Sequence, residues 1–158
     1  MTTLQEKFMD EAIRLAETNM ERGHGGPFGC VIVKDGEIIA SGYNEVLNNN
    51  DPTAHAEIVA IRRACEKLNN YQLEGCEIYT SCEPCPMCLG AIYWSRPGKV
   101  YYAASREDAD QAGFDDKHIY RELCLPLTDR IIPFQQIMQQ KVKDIFLTWT
   151  RMNLNIKY

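Results

Sequence analysis

Apolar residues recur at helical spacing through Leu4, Phe8, Ala12, Leu15 and Ala16, with Thr2 or Thr3 placed to cap the first turn and Gly23 to end the last. The pattern predicts an amphipathic helix whose role is packing. Two short strand-like runs follow, Cys30-Val31-Ile32-Val33 and Glu37-Ile38-Ile39-Ala40, joined through Lys34-Asp35-Gly36. Asp-Gly between such runs predicts a tight antiparallel hairpin. A second helical stripe, Ile58, Val59, Ile61, Ala64, Cys65 and Leu68, comes after the polar loop 48–52, with Asp51 and Thr53 as candidate caps. Residues 76–80 read as a strand, the next segment as a helix to Trp94 broken by Arg96-Pro97-Gly98, and residues 100–104 as a returning strand. A strand, helix, strand unit predicts a parallel crossover, and ligands gather at the carboxyl ends of such strands.

Between the first helix and the hairpin lies Gly23-His24-Gly25-Gly26-Pro27-Phe28-Gly29. It lacks the Lys-Ser/Thr of a phosphate cradle and precedes a strand instead of a helix, so it reads as a tight entry to the sheet. Phe28 is equally a core aromatic or a stacking surface for a planar ligand. Past Ala104 the pattern predicts short helices over 108–113 and 119–125, a fifth strand at Ile131-Ile132-Pro133-Phe134 confined to an edge by its proline, and a helix over 143–151. The expectation is one α/β domain over 1–158 with a mixed five-stranded sheet. Phe146, Trp149, Leu154, Ile156 and Tyr158 are costly to leave in water, which favours docking of the tail on this subunit or another.

Composition narrows the class. The chain has 158 residues, 45% hydrophobic and 25% charged, as expected of a soluble globular protein. A net charge of −5 disfavours a nucleic acid as main partner and favours a small molecule. No apolar run reaches membrane-spanning length. Seven cysteines, an odd number without a leader-like opening, point to the reducing cytoplasm. Cys30, Cys65, Cys76 and Cys124 lie among apolar neighbours and read as small core residues.

The chemistry sits in Ser81-Cys82-Glu83-Pro84-Cys85-Pro86-Met87-Cys88 and Thr53-Ala54-His55-Ala56-Glu57. Pro84 and Pro86 suit the opening of a helix, where Cys85 and Cys88 share a face and can present both sulfurs to one metal ion. His55 is the candidate third ligand. Three protein ligands leave zinc an open position, and Glu57 is the candidate proton carrier beside it. Cys82 could close the site as a fourth ligand and make it merely structural, but its place at a strand end, before the prolines, argues against that. Asn44 offers a donor and an acceptor for reading a heterocycle edge.

Together H-x-E and P-C-x-x-C spell the zinc-deaminase pattern. With Gly25-Gly26-Pro27-Phe28-Gly29, Asp51-Pro52-Thr53-Ala54-His55-Ala56-Glu57, residues 79–88, Ala112-Gly113-Phe114-Asp115-Asp116 and the closing Tyr158, the chain resembles the cytidine-deaminase-like superfamily. Along nearly its full length it resembles the bacterial guanine deaminases of that fold. The resemblance implies a three-layer α/β/α sandwich and one zinc per subunit held by His55, Cys85 and Cys88. It implies purine binding by Asn44 and Asp116, Asp116 being also a candidate proton carrier, with Phe28 stacking on the ring. It further implies a homodimer that exchanges C-terminal segments and so brings Tyr158 to the neighbouring pocket. The activity implied is hydrolysis of guanine to xanthine and ammonia. The alternatives are a tRNA-specific adenosine deaminase, a cytosine or nucleotide deaminase, and a zinc-stabilised interaction module without catalysis.

Overall fold

The computed structural model describes residues 2–152, so Tyr158, Leu154 and Ile156 lie outside the described residues. The chain divides into two compact units, residues 1–116 and 117–158.

In the first unit, α1 (Leu4–Glu21) is followed by the strands β1 (Gly29–Lys34) and β2 (Glu37–Tyr43). A short α2 (Val46–Asn49), α3 (Ala56–Leu68), β3 (Cys76–Cys82), α4 (Pro86–Ser95), β4 (Lys99–Ala104) and α5 (Arg106–Gln111) complete it. Thr3 caps α1 in a reciprocal capping box with Glu6. Asp35 and Gly36 both take positive φ, 51° and 78°, the two-residue turn whose twist matches a hairpin.

The sheet runs β2-β1-β3-β4, antiparallel except for the β3–β4 pair, which is parallel across α4. Alternation along β1 divides the core. Val31 and Val33 pack with Phe8 of α1 and Tyr79 of β3, while Cys30 and Ile32 pack with Ala56, Ala60, Ile61 and Ala64 of α3 and Ile92 of α4. Helices therefore cover both faces. Two glycines set how closely they approach. A Cβ on Gly29 would run into the carbonyl of Ala12 in α1, and one on Gly42 into the carbonyl of Ala56 in α3, at the turn that follows His55.

The sheet has four strands among the described residues, not the expected five. Residues 131–134 form no strand, because Pro133 has no N–H and the Ile131 N–H is taken by the Glu122 carboxylate at 2.8 Å. The second unit holds α6 (Lys117–Leu123), a 3₁₀ turn (Leu127–Asp129) and α7 (Gln139–Met152), none with a buried residue. Cys124 belongs to it and is exposed, against expectation, because its apolar neighbours Leu123 and Leu125 are themselves exposed.

Candidate metal centre and active site

Two helix starts build the site. His55 is the N-cap residue of α3 and Cys85 that of α4, both with extended backbone (φ −69°, ψ 157° and φ −65°, ψ 168°), and neither side chain caps its own helix. The expected caps of α3 act one turn earlier: Asp51 Oδ1 accepts from the Thr53 N–H at 2.8 Å and from its hydroxyl at 2.7 Å. The imidazole and thiol are thereby left to face each other. His55 Nδ1 lies 3.5 Å from Cys85 Sγ and 3.6 Å from Cys88 Sγ.

All three donor atoms lie within 4.8 Å of one another. A tetrahedral zinc with bonds of about 2.3 Å to sulfur and 2.0–2.1 Å to nitrogen holds S and N about 3.6 Å apart, so the spacing suits one such ion. The donor set, one imidazole and two thiols, is equally that of zinc. Cys82 stays outside the group; it is buried at the end of β3, and its thiol donates to the Ser105 carbonyl at 3.6 Å.

The charges follow from crowding. The Cys88 thiol, then the His55 ring, stabilise a Cys85 thiolate, whose pKa is lowered to about 4 against the opposing effect of burial. Beside that thiolate, Cys88 is pushed far up, further raised by burial and by the Glu57 charge, and His55 is raised mainly by its bond to Cys85. A thiolate at Cys85 thus disfavours a second one at Cys88. A divalent cation reverses the balance and lets both sulfurs ionise.

Glu57 belongs to the first turn of α3 and is only 6% exposed. It accepts from the Cys88 thiol at 3.4 Å yet stands outside the three-donor group. Burial raises its pKa, opposed by hydrogen bonds to the carboxylate.

The other expected residues among those described have the following surroundings. Asp116 is half-buried and Asp115 exposed. Asp116 is raised by burial and by the Cys85 charge, and its own charge acts on His55. Asn44 is 8% exposed; its Oδ1 accepts from the Val46 N–H at 3.2 Å, so among the described residues its Nδ2 is left to donate elsewhere. Phe28 is packed against the core and meets Phe114 edge to face, with ring centroids 4.9 Å apart at 81°. Phe114 and Asn19, which binds the Asn44 carbonyl, were not among the expected site residues. Asn19 had one faint signal, a polar residue continuing the Ala12, Ala16 stripe of α1.

Residues 2–104 match the family model for the cytidine and deoxycytidylate deaminase zinc-binding region. The chain is similar to a guanine deaminase of Bacillus subtilis (strain 168), 56% identical over 144 residues that cover 91% of this chain and 92% of that one. The crystal structure of the guanine deaminase from Bacillus subtilis superposes with a TM-score of 0.91 at 55% identity, covering 97% of both chains. A tRNA-specific adenosine deaminase of Aquifex aeolicus (strain VF5) is 48% identical over 100 residues, covering 63% of this chain and 66% of that one. With a match over most of its length and the metal-site geometry in place, this chain belongs to the family of the cytidine and deoxycytidylate deaminase zinc-binding region.

Proposed function

We propose that this protein hydrolyses guanine to xanthine and ammonia, using one zinc ion held by His55, Cys85 and Cys88. The observation that carries the reading is a buried carboxylate, Glu57, touching a three-donor metal group without joining it. The substrate follows from similarity over nearly the whole chain to a guanine deaminase, where the adenosine deaminase match covers 63%. A net charge of −5 also suits a free base better than a tRNA stem.

Zinc bound there supplies Lewis acidity that brings the pKa of water from 15.7 to about 7. Glu57 takes the proton of the attacking water and delivers it to the ring nitrogen beside C2 of guanine. C2 becomes tetrahedral as the oxygen adds. Asp116, whose pKa is raised by burial, supplies or relays the second proton, which the exocyclic amine needs to leave as ammonia. The proton from the collapsing hydroxyl returns to the carboxylates, and the carbonyl of xanthine forms. Asn44 donates from Nδ2 to an acceptor of the purine, and Phe28 flanks the ring plane.

The protein works as a homodimer in the cytoplasm, with Tyr158 reaching the neighbouring pocket. Two observations support the compartment and the dimer, while the place of Tyr158 comes from the family resemblance. All seven cysteines are free. Tyr93 and Trp94 of α4 and Ile145, Phe146 and Trp149 of α7 are exposed apolar groups that a second subunit can cover. No helix among the described residues is long and apolar enough to cross a membrane.

The deciding experiment is ammonia release by the zinc-loaded protein from guanine, adenine, cytosine and a tRNA anticodon stem. Guanine turnover yielding xanthine is the expected result. Turnover of the stem alone would replace this reading with the adenosine deaminase one, and turnover of cytosine alone with a cytosine deaminase. Inertness toward all four would leave a zinc-stabilised module.

A further inference from the structure

Asn19 is a polar residue in the third-last position of α1, 2% exposed, at the end of a helix whose other buried positions are Phe8, Ala12 and Ala16. Its Nδ2 donates twice, to the Gly26 carbonyl at 3.0 Å and to the Asn44 carbonyl at 2.9 Å. Those two carbonyls belong to the glycine-rich entry to β1 and the exit from β2, which also meet where the ladder pairs Gly29 with Tyr43. The circuit closes through backbone, since the Phe28 N–H donates to the Gly26 carbonyl at 2.8 Å and the Asn44 N–H to the Phe28 carbonyl at 3.1 Å. One amide thus joins the backbone of the ring-flanking residue to that of the edge-reading residue.

Among the described residues, Asn19 Oδ1 is buried without a hydrogen-bond partner. An unpaired buried acceptor costs free energy, which the two donated bonds of the same amide must offset. What the position requires is two N–H donors on one short, rigid stem, able to span two carbonyls at once. Space points the same way. A Cβ on Gly25 would collide with Asn44 Oδ1 and its carbonyl, and one on Gly26 with the Phe28 and Phe114 rings. The loop lies directly against both groups, and a loop this close transmits any slack to them.

We infer that Asn19 is a positioning residue for substrate binding: by clamping the carbonyls of Gly26 and Asn44 it fixes the separation of Phe28 and the Asn44 amide, the gap into which a planar base fits. The inference rests on the guanine deaminase reading. It locates a determinant of base affinity on α1, away from both metal motifs, and assigns it to KM and not to the chemical step.

The test compares wild type, Asn19→Ala, Asn19→Asp and Phe8→Leu as zinc-loaded full chains. Phe8 packs near the opposite end of α1 against Tyr79, with ring centroids 5.3 Å apart, so its substitution loosens the same helix without touching the clamp. Readouts are KM and kcat for guanine, the dissociation constant of xanthine by calorimetry, zinc content and thermal midpoint. Asn19→Ala is expected to raise KM and the xanthine constant roughly tenfold, with kcat within about threefold and zinc still one per chain. Asn19→Asp sets a carboxylate against two carbonyls and is expected to be worse. Phe8→Leu is expected to lower the midpoint and leave both constants unchanged. Unchanged constants in Asn19→Ala, or an equal rise in Phe8→Leu, would overturn the inference. Should Asn19→Ala not fold, Asn19→Ser, which keeps one donor, is read by the same two criteria. A wild type inert toward guanine would remove the underlying reading as well, whereas an active wild type with an indifferent Asn19 removes only this one.

Discussion

The thiol of Cys88, on α4, donates to the carboxylate of Glu57, on α3, across 3.4 Å. A candidate metal ligand and the proposed proton carrier thus touch directly, although 31 residues separate them in the chain. Ionising the sulfur for a metal removes that donor and frees the carboxylate for water.

Glu57→Gln keeps the size of the side chain and removes its capacity to carry a proton. Turnover of guanine is expected to fall by roughly 10²–10⁴-fold, the usual worth of a positioned acid–base group. Zinc content measured by elemental analysis should remain one per chain. Retained turnover would remove Glu57 from the mechanism.

Zinc retention should weaken as pH falls. The bare site holds its protons tightly on Cys88 and His55, both raised, while Cys85, lowered to about 4, is already ionised at neutral pH. Metal binding must displace those protons, so affinity rises with pH and is lost in acid. Calorimetry of zinc binding in buffers of different ionisation enthalpy should show net proton release. Chelation should lower the thermal midpoint, because the ion binds only the folded chain. A proton count of zero would contradict the assigned ligand set.

Asn44→Asp keeps the acceptor for the Val46 N–H and removes the free Nδ2 donor. With an acceptor on the base facing a carboxylate, KM for guanine is expected to rise about tenfold or more while zinc content and fold are kept. Steady-state kinetics on guanine decide it, and an unaltered KM would mean that Asn44 does not donate to the base.

Gly42→Ala tests the packing of the metal-bearing helix. The added methyl meets the Ala56 carbonyl and the Ala60 amide of α3, and overpacking of this kind costs about 1–3 kcal/mol. Since α3 begins with the residue after His55, the variant should lose zinc to a chelator faster than wild type as well as unfold earlier. Normal zinc retention alongside a lowered midpoint would separate the helix contact from the site.

The proposal that tails are exchanged has its own test. Glu57→Gln and Tyr158→Ala chains are each expected to be poor enzymes, the first through chemistry and the second through binding. If tails cross between subunits, a hybrid dimer contains one site with both Glu57 and Tyr158 intact. Co-refolding equal amounts should then restore roughly a quarter of wild-type turnover, as random pairing of two chains gives. No recovery would place Tyr158 in the pocket of its own chain or outside it.

The sequence alone was enough to pick out the three donors and the carboxylate. Helix starts are punctuated by prolines, and metal chemistry uses few residue types at fixed spacings, so His55, Cys85, Cys88 and Glu57 stood out without coordinates. The hairpin was equally legible, since Asp35-Gly36 admits the positive φ its turn demands. Other features depend on contacts between distant residues. Whether residues 131–134 pair as a strand turned on a carboxylate at Glu122 capturing the Ile131 N–H, which no local pattern announces. Asn19 emerged only when two remote carbonyls came to lie on one amide. Local rules act through neighbours a few residues apart, while burial, pairing and charge coupling act through space, and only the folded chain brings those partners within range.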